Sequence, residues 1–331
     1  MTVEGHEGNR VALFDYARGM AIVLVVLGHA IHMVSRQFPS TMPAWVFDLD
    51  RAIYTFHVPI FFLISGVLFA GSFDRRGGRG LLWHRVKTLL YPYVLWSMLH
   101  VISQSVGNGQ GFRSLWGDVF RITYFPPAHF WFLYVLFICV AVAVAFRRVF
   151  TNERSCALAL LLLSLCWYGV YAFLPPGPLR DTGRSLPYFV VGAMWSALGG
   201  SASRMRSSWA LVVGAWVLFV ITVSAAVFYD LETGPILRLP LGLMGVVATW
   251  LTAGALTEGA GTRGLAMVGR GSLTIYLVHV FVIYGFCLLL HCVNAAWWIT
   301  LPIVVASGIV LPLILERMSR RLKIAIWLGL G

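Results

Sequence analysis

Apolar runs of about twenty residues return along the whole chain, and a helix of that length spans the hydrocarbon core of a bilayer. Inside lipid every backbone polar group must be paired, which a helix does within its own segment. The runs therefore predict an all-α, polytopic membrane protein. Composition agrees: 59% of the 331 residues are hydrophobic and 11% are charged, where a soluble domain carries about 25% charged residues. The mean hydropathy is +0.81. The pattern predicts a single bundle of about ten transmembrane helices, over 11–34, 50–70, 89–106, 128–146, 155–174, 185–200, 209–228, 238–256, 272–291 and 298–315. The sixth is short for a full span. A transmembrane domain over 10–315 and a basic cytoplasmic tail over 316–331 follow from it. The polar first ten residues and the long apolar run behind them predict no cleavable signal peptide.

A net charge of +12 would suggest nucleic acid in a soluble chain. Here it reads as topology, because Lys and Arg concentrate on cytoplasmic loops. With ten spans, the segments on the N-terminal side hold 17 Lys and Arg residues and the opposite segments hold 7. Both termini are therefore predicted in the cytoplasm. The five cysteines, Cys139, Cys156, Cys166, Cys287 and Cys292, lack metal-ligand spacing and read as small hydrophobes. No metal site is expected.

Ionisable side chains inside a membrane span are costly and mark function by default. The first run, DYARGMAIVLVVLGH, holds Asp15, Arg18 and His29. Arg18 and His29 stand about three turns and about 16 Å apart on one helix face. Asp15, three residues before Arg18, can pair with it. In the second run His57 precedes Pro59, which kinks the helix and frees a carbonyl near the imidazole. Ser65 and Gly66 form a small-residue notch suited either to helix packing or to a ligand. The following loop carries Arg75, Arg76 and Arg79 among three glycines, and Arg85 beyond them. Basic side chains on flexible backbone suit phosphate groups or anionic lipid headgroups equally. His129 and Trp131 open the fourth helix, in a setting that fits an aromatic belt or a sugar platform. Near the end, Tyr276 and His279 share a helix face.

In this order the motifs resemble the membrane-bound acyltransferase type 3 family, and within it the fucose 4-O-acetylase-like branch. The opening motif is carried by Asp15, Arg18, Gly19 and His29. The FHxPxFFxxSGxL signature is carried by Phe56, His57, Pro59, Phe61, Phe62, Ser65, Gly66 and Leu68. Arg85, Pro92, Tyr93 and Trp96 form a third motif, Trp131, Phe132 and Leu133 a fourth, and Tyr276, Leu277 and His279 a fifth. One departure is Val58, where related chains often carry methionine. The resemblance covers about residues 10–315 and implies O-acetylation, with acetyl-CoA as donor, of a cell-surface, exopolysaccharide or lipid-linked sugar. It makes His29 the base, acting on the acceptor hydroxyl directly or taking the acetyl group itself, with His57 and Asp15 in support. It assigns Arg18, Arg85, Arg75, Arg76, Arg79 and Ser65 to the donor, and His129, Trp131, Tyr276 and His279 to the acceptor. Membrane lipids are the other expected partners. Nucleic acid is not a partner, and the oligomeric state stays open.

Three other readings stand beside this one. A small hydroxylated metabolite would serve as acceptor equally well. A multi-span transporter of an envelope precursor would also place His and Arg inside the membrane, but it predicts matching inverted halves, and no internal repeat is visible. A non-enzymatic envelope sensor would bind no acetyl-CoA.

Overall fold

The computed structural model describes residues 3–38, 40–107, 112–200, 207–232, 234–257 and 263–330. Every regular element among the described residues is helical. In chain order these are α1 (Val3–Gln37), α2 (Ala44–Phe56), α3 (Pro59–Val67), α4 (Phe69–Arg85), α5 (Tyr91–Gly107), α6 (Phe112–Arg121) and α7 (Trp131–Val149). Then follow α8 (Glu153–Val170), α9 (Pro178–Ala197), α10 (Trp209–Phe228), α11 (Pro235–Leu256), α12 (Arg263–Arg270), α13 (Ser272–Cys292) and α14 (Trp297–Arg321). Local chemistry sets several starts. Asn152 accepts hydrogen bonds from the N–H groups of Arg154 and Ser155 at 2.9 and 3.2 Å, an N-cap for α8. Proline takes the first position of α9 and of α11, each after a glycine, where its missing N–H costs nothing.

Among the described residues, seven helices are long and apolar enough to cross a bilayer: α1, α7, α8, α10, α11, α13 and α14. An eighth span arises if Ala44–Val67 and Phe69–Ser105, bent by 66° at Leu68, count as one. This corrects the expected ten. The run expected over 50–70 is broken, with α2 ending at Phe56 and α3 beginning at Pro59. The helix expected to begin at 89 has no free start. A turn of π-helix over Val86–Leu90 joins α4 directly to α5, so Arg85 lies inside a run of helix. The helix expected over 185–200 begins seven residues earlier, and its first turns take in Arg180, Asp181 and Arg184, too many charges for an apolar span.

The helices fall into two compact units. The first comprises residues 1–61 and 201–321. Within it α1 is central, packed against α2, α11, α12, α13 and α14, while α13 lies along α14 and α10 along α11. Leu13, Ala17, Ile22 and Val26 of α1 are fully buried. Small residues allow the closest approaches. A Cβ on Gly269 would overlap the main-chain carbonyl of Asp15, and one on Gly19 would reach 2.5 Å from the carbonyl of Leu265, so α12 seats directly on the backbone of α1.

The second unit comprises residues 62–200 and 322–331. There α9 packs on α7 and α8, and α4 on α7. Gly66 lies against the carbonyl of Phe189, and Gly192 against that of Leu63. The residues that follow α14 lie on α5. Trp96 Nε1 donates to the carbonyl of Leu328 at 2.9 Å, Tyr91 OH donates to that of Trp327, and Gly329, at φ +68°, rests against Pro92.

Candidate active site

Six of the expected site residues lie in the first unit, at two levels of α1. At the lower level Asp15 is buried, with Arg18 Nη1 at 3.9 Å and Arg270 Nη1 at 3.3 Å from its carboxylate. The absent side chain of Gly269 lets the end of α12 approach Asp15, which brings Arg270 beside the acid. Two guanidinium groups on one carboxylate leave a net positive charge. The Arg18 side chain keeps 32% of its surface exposed; Arg263 opens the short α12, and Arg317, Arg320 and Arg321 lie in the last turns of α14, where Arg317 reaches Met267 of α12. Glu316 engages Arg320 at 2.8 Å.

At the upper level, about 16 Å further along α1, His29 meets His279 of α13 with ring centroids 5.1 Å apart. His279 is fully buried and Tyr276 is 7% exposed, with their rings 6.3 Å apart. His279 Nδ1 lies 2.9 and 2.8 Å from the carbonyls of Ile275 and Tyr276. Carbonyls only accept, so the ring proton is on Nδ1 and Nε2 is the acceptor nitrogen. His57 is held in the same way, with Nδ1 donating to the carbonyl of Ile53 at 2.7 Å.

Three side chains at this level escaped the sequence reading. Tyr54 lies edge-on to His57 at 4.7 Å and to His29 at 6.4 Å, and its hydroxyl is 3.1 Å from His32 Nδ1. His32 Nε2 is 2.7 Å from Asp50 Oδ2. Asp50 and Tyr54 share a face of α2 and His32 follows His29 by one turn, but such residues near a helix end are ordinary at a membrane interface and carry no signal of their own. On the neighbouring face, Arg51 pairs with Asp230 and with buried Glu232, the latter at 2.8 Å. This ties α2 to the segment after α10.

The remaining expected residues belong to the second unit. Ser65 is buried, and its hydroxyl has no hydrogen-bond partner among the described residues. Arg75, Arg76 and Arg79 are exposed on α4, which kinks at Gly77 (φ 65°), while Arg85 is half-buried. His129 is buried in a short 3-10 turn. The guanidinium of Arg184 stacks over the ring of Trp131 at 4.8 Å. Among the described residues, no group of three or more His, Cys, Asp or Glu is placed to hold a metal ion.

These features define a class: an all-helical, multi-span membrane protein that gathers histidines, a tyrosine and a pair of arginines along its first span. A sequence profile of the acyltransferase domain matches residues 11–317, and the chain belongs to that family. It is similar to nodulation protein NolL of Sinorhizobium fredii, at 37% identity over 91 residues, 28% of this chain and 24% of that protein. It is also similar to nodulation protein NolL of Mesorhizobium japonicum, at 28% identity over 145 residues, 43% of this chain and 38% of that protein. The matched parts thus span about a quarter and two-fifths of these relatives. No solved structure matches the chain.

Proposed function

We propose that the protein is a membrane-bound O-acyltransferase that moves an acetyl group from cytosolic acetyl-CoA to a hydroxyl of a cell-surface, exopolysaccharide or lipid-linked sugar. The observation that carries this reading is the two-level arrangement of α1, with a net-positive, partly exposed arginine pair below and, about 16 Å above, half-buried His29 against fully buried His279. Family membership supports the reaction type. The domain that carries it is residues 10–315, in a bacterial inner membrane.

Charge supports the orientation. In the first unit, Arg18, Arg263, Arg270, Arg317, Arg320 and Arg321 gather at one end with Asp15 and Glu316. At the other end three arginines, Arg36, Arg51 and Arg238, stand among four carboxylates, Asp48, Asp50, Asp230 and Glu232. The basic end is therefore assigned to the cytoplasm. Arg204 and Arg206, part of the charge tally, lie outside the described residues.

The donor supplies an acyl group activated as a thioester. A surplus of guanidinium over carboxylate at the basic end fits its phosphates, so Arg18 and Arg270 are assigned to them, with Asp15 holding both arginines in place. His29 removes the proton of the acceptor hydroxyl. His279, with Nδ1 committed to backbone carbonyls, keeps a fixed ring beside it, and His57 does the same from α2. Tyr276 borders the acceptor. In the second unit, Arg75, Arg76, Arg79 and Arg85 are assigned to anionic phosphate, Ser65 to the donor, and His129 and Trp131 to sugar.

The test uses the full chain in proteoliposomes with radiolabelled acetyl-CoA and methyl α-L-fucopyranoside. His29→Ala should lower transfer by about 100-fold or more while calorimetry shows acetyl-CoA binding intact. Transfer at the wild-type rate would overturn the assignment. Arg18→Ala should weaken acetyl-CoA binding, and less so for its 3′-dephospho analogue. Equal losses would remove the phosphate role.

A further inference from the structure

Asp50, His32 and Tyr54 form one hydrogen-bonded line that the proposed reaction leaves unused. Asp50 Oδ2 is 2.7 Å from His32 Nε2, and Tyr54 OH is 3.1 Å from His32 Nδ1. A carboxylate only accepts, so Nε2 carries the imidazole proton and the phenol donates to Nδ1. The order carboxylate, imidazole, hydroxyl is that of a proton-transfer triad, with a phenol in the third place.

The line has a direction. Its inner end is beside His29: the Tyr54 ring lies over Gly28, where a Cβ would come 2.8 Å from Cε2 and 3.5 Å from Cζ. Gly28 directly precedes His29, so a missing side chain on α1 admits the hydroxyl-bearing edge of Tyr54 next to the base. The outer end opens at the protein surface, for the His32 side chain is 50% exposed, and Asp50, at 10%, is covered. Other charged or titratable groups near the line are His29 on α1, Arg51 on α2, His57 just beyond its end, and Arg238 on α11.

We propose that Tyr54, His32 and Asp50 are positioning residues that drain the proton taken up by His29 to the far end of the first unit. This rests on the acyltransferase reading. In the reaction the acceptor O–H bond breaks, its electron pair forms the ester bond to the acyl carbon, and its proton goes to His29. The C–S bond breaks with its pair on sulfur, which takes a proton from water. His29 returns to the neutral state by passing its proton to the Tyr54 oxygen while Tyr54 gives its own to His32 Nδ1. The imidazolium, steadied by Asp50, releases a proton to water. One hydroxyl proton leaves and one thiol proton is gained, so each turnover balances.

The experiment again uses the full chain in proteoliposomes with acetyl-CoA and methyl α-L-fucopyranoside. Tyr54→Phe and His32→Ala should lower kcat by about 100-fold, with the KM for acetyl-CoA unchanged and melting temperatures near wild type. Because His32 is half exposed, added imidazole should restore turnover to His32→Ala. Pyrazole, of the same shape but far less basic, should not. Wild-type kcat in both variants overturns the relay, as does equal rescue by the two azoles or no rescue of a folded His32→Ala protein. Absence of transfer by the wild type would instead overturn the acyltransferase reading itself.

Discussion

At the scale of single residues, glycines decide where function can sit. Gly28 and Gly269 both stand where a side chain would collide, but with different neighbours. At Gly28 the neighbour is the movable ring of Tyr54. Gly28→Ala should therefore displace Tyr54 and reduce turnover several-fold with little change in thermal stability. At Gly269 it is the carbonyl of Asp15, which cannot yield without moving α1. Gly269→Ala should cost about 1–3 kcal/mol, seen as a lower melting temperature, while Gly264→Ala, with open space around it, should be neutral or slightly stabilising. The ionisable residues of the site were legible because charge inside an apolar run stands out. His32 and Tyr54 were not, since a histidine and a tyrosine near a helix end are ordinary at a membrane interface. Only their mutual hydrogen bond sets them apart.

At the scale of elements, α2 is held by its two faces. One presents Asp50, Tyr54 and His57 to α1, and the other sends Arg51 to Asp230 and Glu232. Removing Arg51 leaves Glu232, 4% exposed, as a buried carboxylate that has lost its partner. Arg51→Ala should destabilise the protein by about 1–3 kcal/mol and open the segment after α10 to protease. Glu232→Gln added to that variant should recover part of the loss. The break at Pro59 was legible, because proline lacks the N–H that a helix needs. The junction after Arg85 was not. Its glycines and arginines suggest a loop, yet α4 continues through a π turn into α5.

At the scale of the whole molecule, orientation is the testable statement. Cys292, exposed at the end of α13, lies at the end opposite the arginines. With Cys166, the other exposed cysteine, changed to serine, a membrane-impermeant maleimide should label Cys292 from outside the cytoplasmic membrane. Labelling only from inside would reverse the assignment. Truncation after Arg321 should lower the melting temperature of the second unit, since Tyr91 and Trp96 lose acceptors on Trp327 and Leu328. Sequence alone determined that the chain is all-helical and membrane-spanning, because a long apolar segment has no other way to pair its backbone in lipid. It also marked Asp15, Arg18, His29, His57 and His279, because the cost of burying such groups is visible without a fold. Tertiary structure decided the pairing of Arg270 with Asp15, the meeting of His29 with His279, and the line from Tyr54 to Asp50. Each depends on close approach between segments far apart in the chain, which local periodicity does not encode.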